Sequence, residues 1–107
     1  MIKREKRRYL ALNVLSEQPF DERQVLDAVQ ASVLRLFGEY GASKVELKLI
    51  KGIPEKRQLV LRCSHLMLEK IRAAIASTVE VAGKPAAVHV VDVSGTLKAL
   101  SKKAKNI

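Results

Sequence analysis

The chain has one cysteine, Cys63, among its 107 residues. A single thiol cannot form a disulfide within the chain, and it cannot build a zinc site from two or more thiolates. Cys63 stands in the apolar run of residues 59–63, which predicts a small buried side chain rather than a reactive one. This cysteine usage favours a reducing compartment, and we expect the protein to be cytoplasmic.

Long hydrophobic runs are also lacking. No stretch approaches the roughly 20 apolar residues that cross a bilayer. The first residues are basic and then apolar, which imitates a signal peptide, but the apolar part is short, contains Asn13 and alternates like a strand. The basic segments have no amphipathic stripe with Trp or Phe, so we expect no membrane partner.

Groups that carry out catalysis are scarce. The sequence has two histidines, His65 and His89, no paired carboxylates at a helix or strand spacing, and no glycine-rich phosphate loop. Cys63 and His65 are close in sequence, but no third residue is placed to orient them as a nucleophilic pair. We therefore expect no catalytic residue, no metal ligand and no cofactor bound by the protein, and a free-standing enzyme is the least supported alternative.

Positive charge is abundant, and it is concentrated at the two ends. The formal net charge is +9; residues 3–8 and residues 98–105 each contribute +4, so the sequence between them is nearly neutral. Two basic ends on a neutral body favour a polyanionic partner. The cations of the two ends are Lys3, Arg4, Lys6, Arg7, Arg8, Lys98, Lys102, Lys103 and Lys105.

Hydrophobic periodicity predicts six main elements and a short last helix. Residues 8–16 alternate as a strand, with Leu10, Leu12 and Val14 on one side. Asp21 and Gln24 have the spacing of a capping box, and the helix that they begin is expected to end at Gly38 and Gly41. The remaining elements are a strand over 44–49, a strand over 57–63, a helix capped by Ser64, a strand over 86–93, and a basic helix after the 94–96 turn.

The order strand, helix, strand, strand, helix, strand predicts an α+β, ferredoxin-like fold over residues 1–107. In this split βαβ arrangement, a four-stranded antiparallel sheet is covered by helices on one face. The first and last strands are then antiparallel neighbours, so the basic N-terminal end (1–8) and the basic C-terminal end (98–107) emerge at the same edge. The two ends are expected to form one anion-binding site.

The sheet face opposite the helices is predicted to be apolar and open. Tyr9, Ala11 and Leu15 of the first strand point there, and the third strand contributes either Val60 or Leu59 and Leu61 beside them. A contiguous apolar patch predicts a protein partner or self-association. RNA-recognition domains stack bases on aromatics in the central strands, but the third strand has no aromatic residue, which disfavours sequence-specific reading of single-stranded RNA.

Three segments, in this order and spacing, resemble one family. They are residues 7–10, residues 59–63 followed by the helical segment 71–75, and residues 88–98 with the Ser94-Gly95-Thr96 turn. Together they are similar to ribonuclease P protein component 2, a family of small archaeal subunits related to a eukaryotic ribonuclease P and MRP protein. The resemblance covers essentially the whole chain.

The resemblance implies a subunit of a ribonucleoprotein endonuclease that removes the 5′ leader from precursor tRNA. It implies that the catalytic centre and its magnesium ions belong to the RNA, and that the partners are the catalytic RNA, a TIM-barrel protein subunit and other ribonuclease P proteins. The basic ends are expected to bind phosphates, with Arg62, Arg72 and Thr96 as secondary candidates. The alternatives are a ribosomal or other structured-RNA-binding protein of the same fold, and a protein–protein scaffold with basic tails.

Overall fold

A computed structural model describes residues 6–53 and 56–103 of the chain. In this structure the strands are β1 (Arg7–Leu15), β2 (Lys48–Ile53), β3 (Gln58–Ser64), β4 (Glu80–Val81), β5 (Lys84–Pro85) and β6 (Ala87–Ser94). The helices are α1 (Glu22–Val45), α2 (Leu68–Ser77) and α3 (Leu97–Lys103), and a 3₁₀ turn, His65–Met67, precedes α2.

The main sheet has the order β2-β3-β1-β6, and all three of its pairings are antiparallel. This is the ferredoxin-like arrangement predicted from the element order, with β1 next to β6. Helices α1 and α2 cover one face. The core between them and the sheet holds Leu10, Leu12 and Val14 of β1, as the alternation predicts, together with Leu59, Leu61 and Cys63 of β3.

The start of α1 follows the predicted capping box. Asp21 accepts a hydrogen bond from the backbone N–H of Arg23 (3.2 Å), and Gln24 Oε1 accepts one from the backbone N–H of Asp21 (3.0 Å). Both halves of the box are present. Phe20, just before the cap, packs against the core. These contacts satisfy backbone donors that the first turn of a helix leaves unpaired.

The predicted end of α1 is wrong. Gly38 has a φ of 72° and interrupts the helix, but the chain resumes helical geometry and continues to Val45. The part of the helix after Gly38 stays helical because Val45, at its end, is buried in the core. The helix ends when Glu46 adopts left-handed geometry at φ 52°. As a consequence, β2 begins at Lys48 instead of Lys44.

Two further local features differ from what the sequence predicts. The side chain of Ser64 makes no capping hydrogen bond, and a 3₁₀ turn separates it from α2, which begins at Leu68. A small hairpin of β4 and β5 precedes β6 and was not predicted. Its two turn residues, Ala82 and Gly83, both have positive φ, as a two-residue turn of type I′ requires.

Candidate nucleic-acid interface

The start of β1 and the end of β6 lie side by side at one end of the sheet. Tyr9 is paired with Ser94, and Arg8 and Arg7 are paired with Cys63 and Ser64 of β3 on the other side. The backbone N–H of His65 donates to the carbonyl oxygen of Lys6 (2.9 Å), which extends this pairing by one residue. Where the N-terminal cations leave the sheet, the chain is therefore held by β3 and His65 at Lys6, Arg7 and Arg8, and by both neighbouring strands at Tyr9. We call this region, formed by residues 6–8 and 94–98, the basic end.

Arg8 of β1 lies against the turn that follows β6. Its guanidinium lies beside Gly95, the residue that follows β6, and Nη1 also donates to the carbonyl oxygen of Arg7 (3.1 Å). Arg8 is half-buried, whereas Lys6 and Arg7 are exposed. Two of these three cations are therefore open to solvent, and the third is held against the turn that leads into α3.

The turn after β6 is built by short polar contacts. Thr96 Oγ1 accepts a hydrogen bond from the backbone N–H of Ala99 (3.1 Å), and the carbonyl oxygen of Thr96 accepts one from Leu100 (3.1 Å). Thr96 therefore caps α3, as the sequence predicts, and this capping engages the hydroxyl that was a secondary candidate for RNA contact. Lys98, in the first turn of α3, is exposed.

The pKa of the Cys63 thiol depends on its burial and on the charge of Arg8. Burial raises the pKa of its thiol from 9.0 to about 11, and the positive charge of Arg8 opposes that rise. The thiol is thus protonated near neutral pH and fully buried. This agrees with the structural role predicted for Cys63. The groups of the basic end that can bind an anion are therefore its cations.

The comparisons with known proteins agree with this architecture. The family model for the Rpp14/Pop5 family matches residues 8–105. Ribonuclease P protein component 2 of Methanosarcina mazei is 33% identical over 100 residues, which cover 94% of this chain and 84% of that protein. The same-named protein of Pyrococcus horikoshii is 33% identical over 94% of this chain and 83% of its own length.

The chain belongs to the Rpp14/Pop5 family.

The fold is also found in a solved assembly. A chain of a cryo-EM structure of yeast ribonuclease MRP superposes with a TM-score of 0.72, covering 91% of this chain and 79% of that chain at 16% sequence identity. At this identity the likeness concerns the fold. It supports the ferredoxin-like topology for this member of the Rpp14/Pop5 family.

The structure brings together only part of the predicted RNA-binding set. Lys6, Arg7, Arg8, Thr96 and Lys98 converge at the basic end. Lys102 and Lys103 fall within the bounds of α3. The other predicted cations, Lys3, Arg4 and Lys105, lie outside the described residues.

The two secondary arginines occupy different places. Arg62 of β3 is paired with Tyr9 on one side and with Lys48 of β2 on the other, so it lies one strand away from the first residues of β1. Arg72 is exposed on α2 and lines a groove against β6 with Glu69 and His89. Lys48 was not selected from the sequence; its place beside Arg62 follows from the strand register.

Four residues were predicted to form an open apolar face. The prediction is wrong for two of them, Ala11 and Val60, which are not exposed. Tyr9, Ala11 and Val60 do lie opposite α1 and α2, but Leu100 of α3 packs on that face, and Ala11, Val60 and Leu100 are all fully buried. Tyr9 is half-buried in the same cluster, and Leu15 is 53% exposed. The chain covers the centre of this face with its own helix because removal of apolar surface from water lowers the free energy.

Within residues 6–53 and 56–103, no group of three or more His, Cys, Asp or Glu side chains is arranged to hold a metal ion. Over the same residues, no helix combines the length and the apolar character needed to cross a membrane.

Proposed function

We propose that this chain is a protein subunit of ribonuclease P that binds the catalytic RNA through its basic end. The observation that carries the proposal is the pairing of Tyr9, which follows Arg7 and Arg8 in β1, with Ser94, the last residue of β6. This pairing makes one cationic surface from two segments at opposite ends of the sequence. The family relationship supplies the class of RNA, since the relatives are ribonuclease P proteins.

The chemistry of the basic end is charge neutralisation. Lys6, Arg7 and Lys98 are exposed cations that contact backbone phosphates, and each contact releases counterions from the RNA. Magnesium ions and the cleavage of precursor tRNA belong to the RNA. The protein's contribution is to hold an RNA fold in which phosphates approach one another closely, an arrangement that costs free energy without bound cations.

The partners of the proposed subunit include other proteins. A TIM-barrel subunit and further ribonuclease P proteins are the partners that the family implies, and self-association is a second mode. Co-expression with the candidate TIM-barrel protein, followed by measurement of the mass of the purified complex, separates a heteromeric complex from a homo-oligomer and from a monomer.

The test is reconstitution with the ribonuclease P RNA of the source organism. We expect the protein to bind this RNA, and the logarithm of the affinity to fall with the logarithm of salt concentration at a slope of about −3 to −5, as four to six phosphate contacts require. Cleavage of precursor tRNA should increase when the protein is added. A protein that binds ribosomal RNA more tightly and leaves cleavage unchanged would instead be a general structured-RNA binder.

Matched variants assign the binding to the basic end. In the test variant, Lys6→Gln, Arg7→Gln and Lys98→Gln remove three exposed cations of that end. In the control variant, Lys44→Gln, Lys70→Gln and Lys84→Gln remove three exposed cations elsewhere. We expect the test variant to make the salt slope less steep by about 2 to 3, and the control to keep the wild-type slope. No RNA binding by the wild-type protein at about 0.15 M salt would favour the scaffold alternative.

A further inference from the structure

A row of side chains crosses the main sheet next to the basic end. Lys48 of β2 is opposite Arg62 of β3, Arg62 is opposite Tyr9 of β1, and Tyr9 is opposite Ser94 of β6. Residues that are directly opposite in antiparallel strands share a face of the sheet. All four therefore lie on the face that α3 partly covers, away from α1 and α2.

Lys51 adds a second cation from β2 to this face. The register shifts between Leu49 and Lys51, and Lys51 becomes the partner of Val60. In such a bulge two consecutive residues oppose a single residue of the neighbouring strand. Ile50 packs against Val60 in the cluster beneath α3, which confirms that this part of β2 faces the α3 side. Lys48 and Lys51 thus lie on the same face of β2, an edge strand of the sheet.

Asp92 of β6, an acidic residue of this face, is at the opposite edge of the sheet. Asp92 of β6 is paired with Ala11, which is paired with Val60, so three strand spacings separate Asp92 from Lys51. At about 4.8 Å per spacing the separation is roughly 14 Å. This exceeds the screening length of about 8 Å at physiological ionic strength. Asp92 therefore does not neutralise the cations of β2.

Arg62 has unused hydrogen-bonding capacity. Its Nε atom is buried and finds no hydrogen-bond acceptor among the described residues. Buried polar groups without a hydrogen-bond partner are uncommon in folded proteins, because the lost hydrogen bond to water is not replaced. The planar guanidinium is suited to phosphate oxygens, which accept from two of its N–H groups at once. The Arg62 side chain is half-buried and lies between Tyr9 and Lys48 on this face, where a phosphate at the edge of the sheet would approach it.

We propose that Lys48, Lys51 and Arg62 form a second phosphate-binding surface, which we call the β2 surface, and that it binds the RNA that occupies the basic end. The inference rests on the proposed function and deepens it. The β2 surface is continuous with the basic end, because Arg62 and Lys48 share a row with Tyr9 and Ser94. RNA therefore runs from the basic end across the sheet towards β2, on the side of the face away from Asp92.

Lysine footprinting tests the β2 surface on the wild-type protein. An amine-reactive reagent is applied with and without the ribonuclease P RNA, and the modification of each lysine is measured by mass spectrometry. We expect RNA to lower the modification of Lys48 and Lys51 several-fold, with Lys70 and Lys84 unchanged as internal controls. Unprotected Lys48 and Lys51 overturn the inference. If Lys6 and Lys98 are protected in the same sample, the proposed function still stands; if they are also unprotected, the proposed function fails as well.

A pair of variants gives an independent measurement. Lys48→Gln with Lys51→Gln removes two charges from the β2 surface, and Lys70→Gln with Lys84→Gln removes two charges from α2 and β5. We expect the first pair to make the salt slope of RNA binding less steep by about 1.4 to 1.8, and the second pair to leave it unchanged. Equal slopes for both pairs overturn the inference. Circular dichroism establishes that each variant is folded.

Discussion

A methyl group in place of the Gly95 hydrogen would lie 3.3 Å from Nη1 of Arg8. This contact joins the second residue of β1 to the residue that follows β6, three residues before Lys98. The glycine gives the guanidinium room between the turn and the sheet. The position of Arg8 in the basic end therefore depends on a small residue at 95.

Substitution of Gly95 tests this contact. Gly95→Ala needs a shift of a few tenths of an ångström by a flexible side chain, and we expect the free energy of unfolding to change by less than about 0.5 kcal/mol. Gly95→Val adds branched bulk that displaces the Arg8 guanidinium, and we expect weaker binding of ribonuclease P RNA than for Gly95→Ala. Affinity measurements on the two folded variants check this. Equal affinity would show that Arg8 does not need its observed position.

Removal of the Leu100 side chain tests the cover of the sheet face. Leu100 is fully buried against Ala11 and Val60, and truncation of a buried leucine costs about 2–5 kcal/mol. Because α3 is short, with seven residues, we expect a loss near the lower limit, about 2 kcal/mol, for Leu100→Ala. Urea unfolding provides the measurement, with Lys98→Ala on the exposed side of the same helix as the control. A loss no larger than that of the control would contradict the observed packing.

A buried pair of hydroxyls links α1 to the end of α2. Ser32 Oγ and Thr78 Oγ1 are 2.8 Å apart, and Thr78 Oγ1 donates to the carbonyl oxygen of Ala74 (2.8 Å). Since a hydroxyl has one proton, Ser32 is the donor to Thr78. We expect Thr78→Val to destabilise the protein by about 1–3 kcal/mol, because it leaves the Ser32 hydroxyl buried without its acceptor.

The double variant Ser32→Ala/Thr78→Val isolates that cost. It removes both hydroxyls, and we expect it to be more stable than Thr78→Val alone. Ser77→Ala is the control, because Ser77 also donates to the carbonyl oxygen of Ala74 but is only half-buried. The prediction fails if Thr78→Val costs no more than Ser77→Ala when both are unfolded in denaturant.

The Cys63 thiol makes stability depend on alkaline pH. Its pKa is raised by burial to about 11 from 9.0, so the folded state holds the proton more tightly than the unfolded state. The contribution to stability is complete below about pH 9 and is lost as the pH rises towards 11. We expect the stability difference between wild type and Cys63→Ala to shrink over this interval. A difference independent of pH between 8 and 11 would contradict the burial of the thiol.

Much of the fold was predicted because its signals are local. The alternation in β1 and the Asp21–Gln24 capping box each depend on a few neighbouring residues, and both are observed. Gly38 shows the limit of such signals, since a glycine near the end of a helical pattern either stops the helix or bends it. The burial of Val45 decides between these outcomes, and that burial depends on residues far away in the sequence.

For the candidate site, the sequence predicts which strands are neighbours but not where α3 packs. Adjacency of β1 and β6 follows from the order of elements, and it brings Arg7 and Arg8 close to the turn that begins α3. The place of α3 over Ala11 and Val60 was missed, because two apolar residues three apart in a short helix do not reveal which surface they cover. The position of Lys51 was missed because it depends on a shift of register that the sequence does not encode in any local pattern.

Photo-crosslinking from two positions measures most directly whether the two termini contact RNA as one site. A photoreactive amino acid replaces Arg7 in one protein and Lys98 in another, with Lys84 as the control position, and each protein is irradiated in complex with ribonuclease P RNA. We predict crosslinks from positions 7 and 98 to nucleotides of the same RNA segment, and none from position 84. Crosslinks from 7 and 98 to RNA elements far apart, or from neither position, would contradict a shared surface.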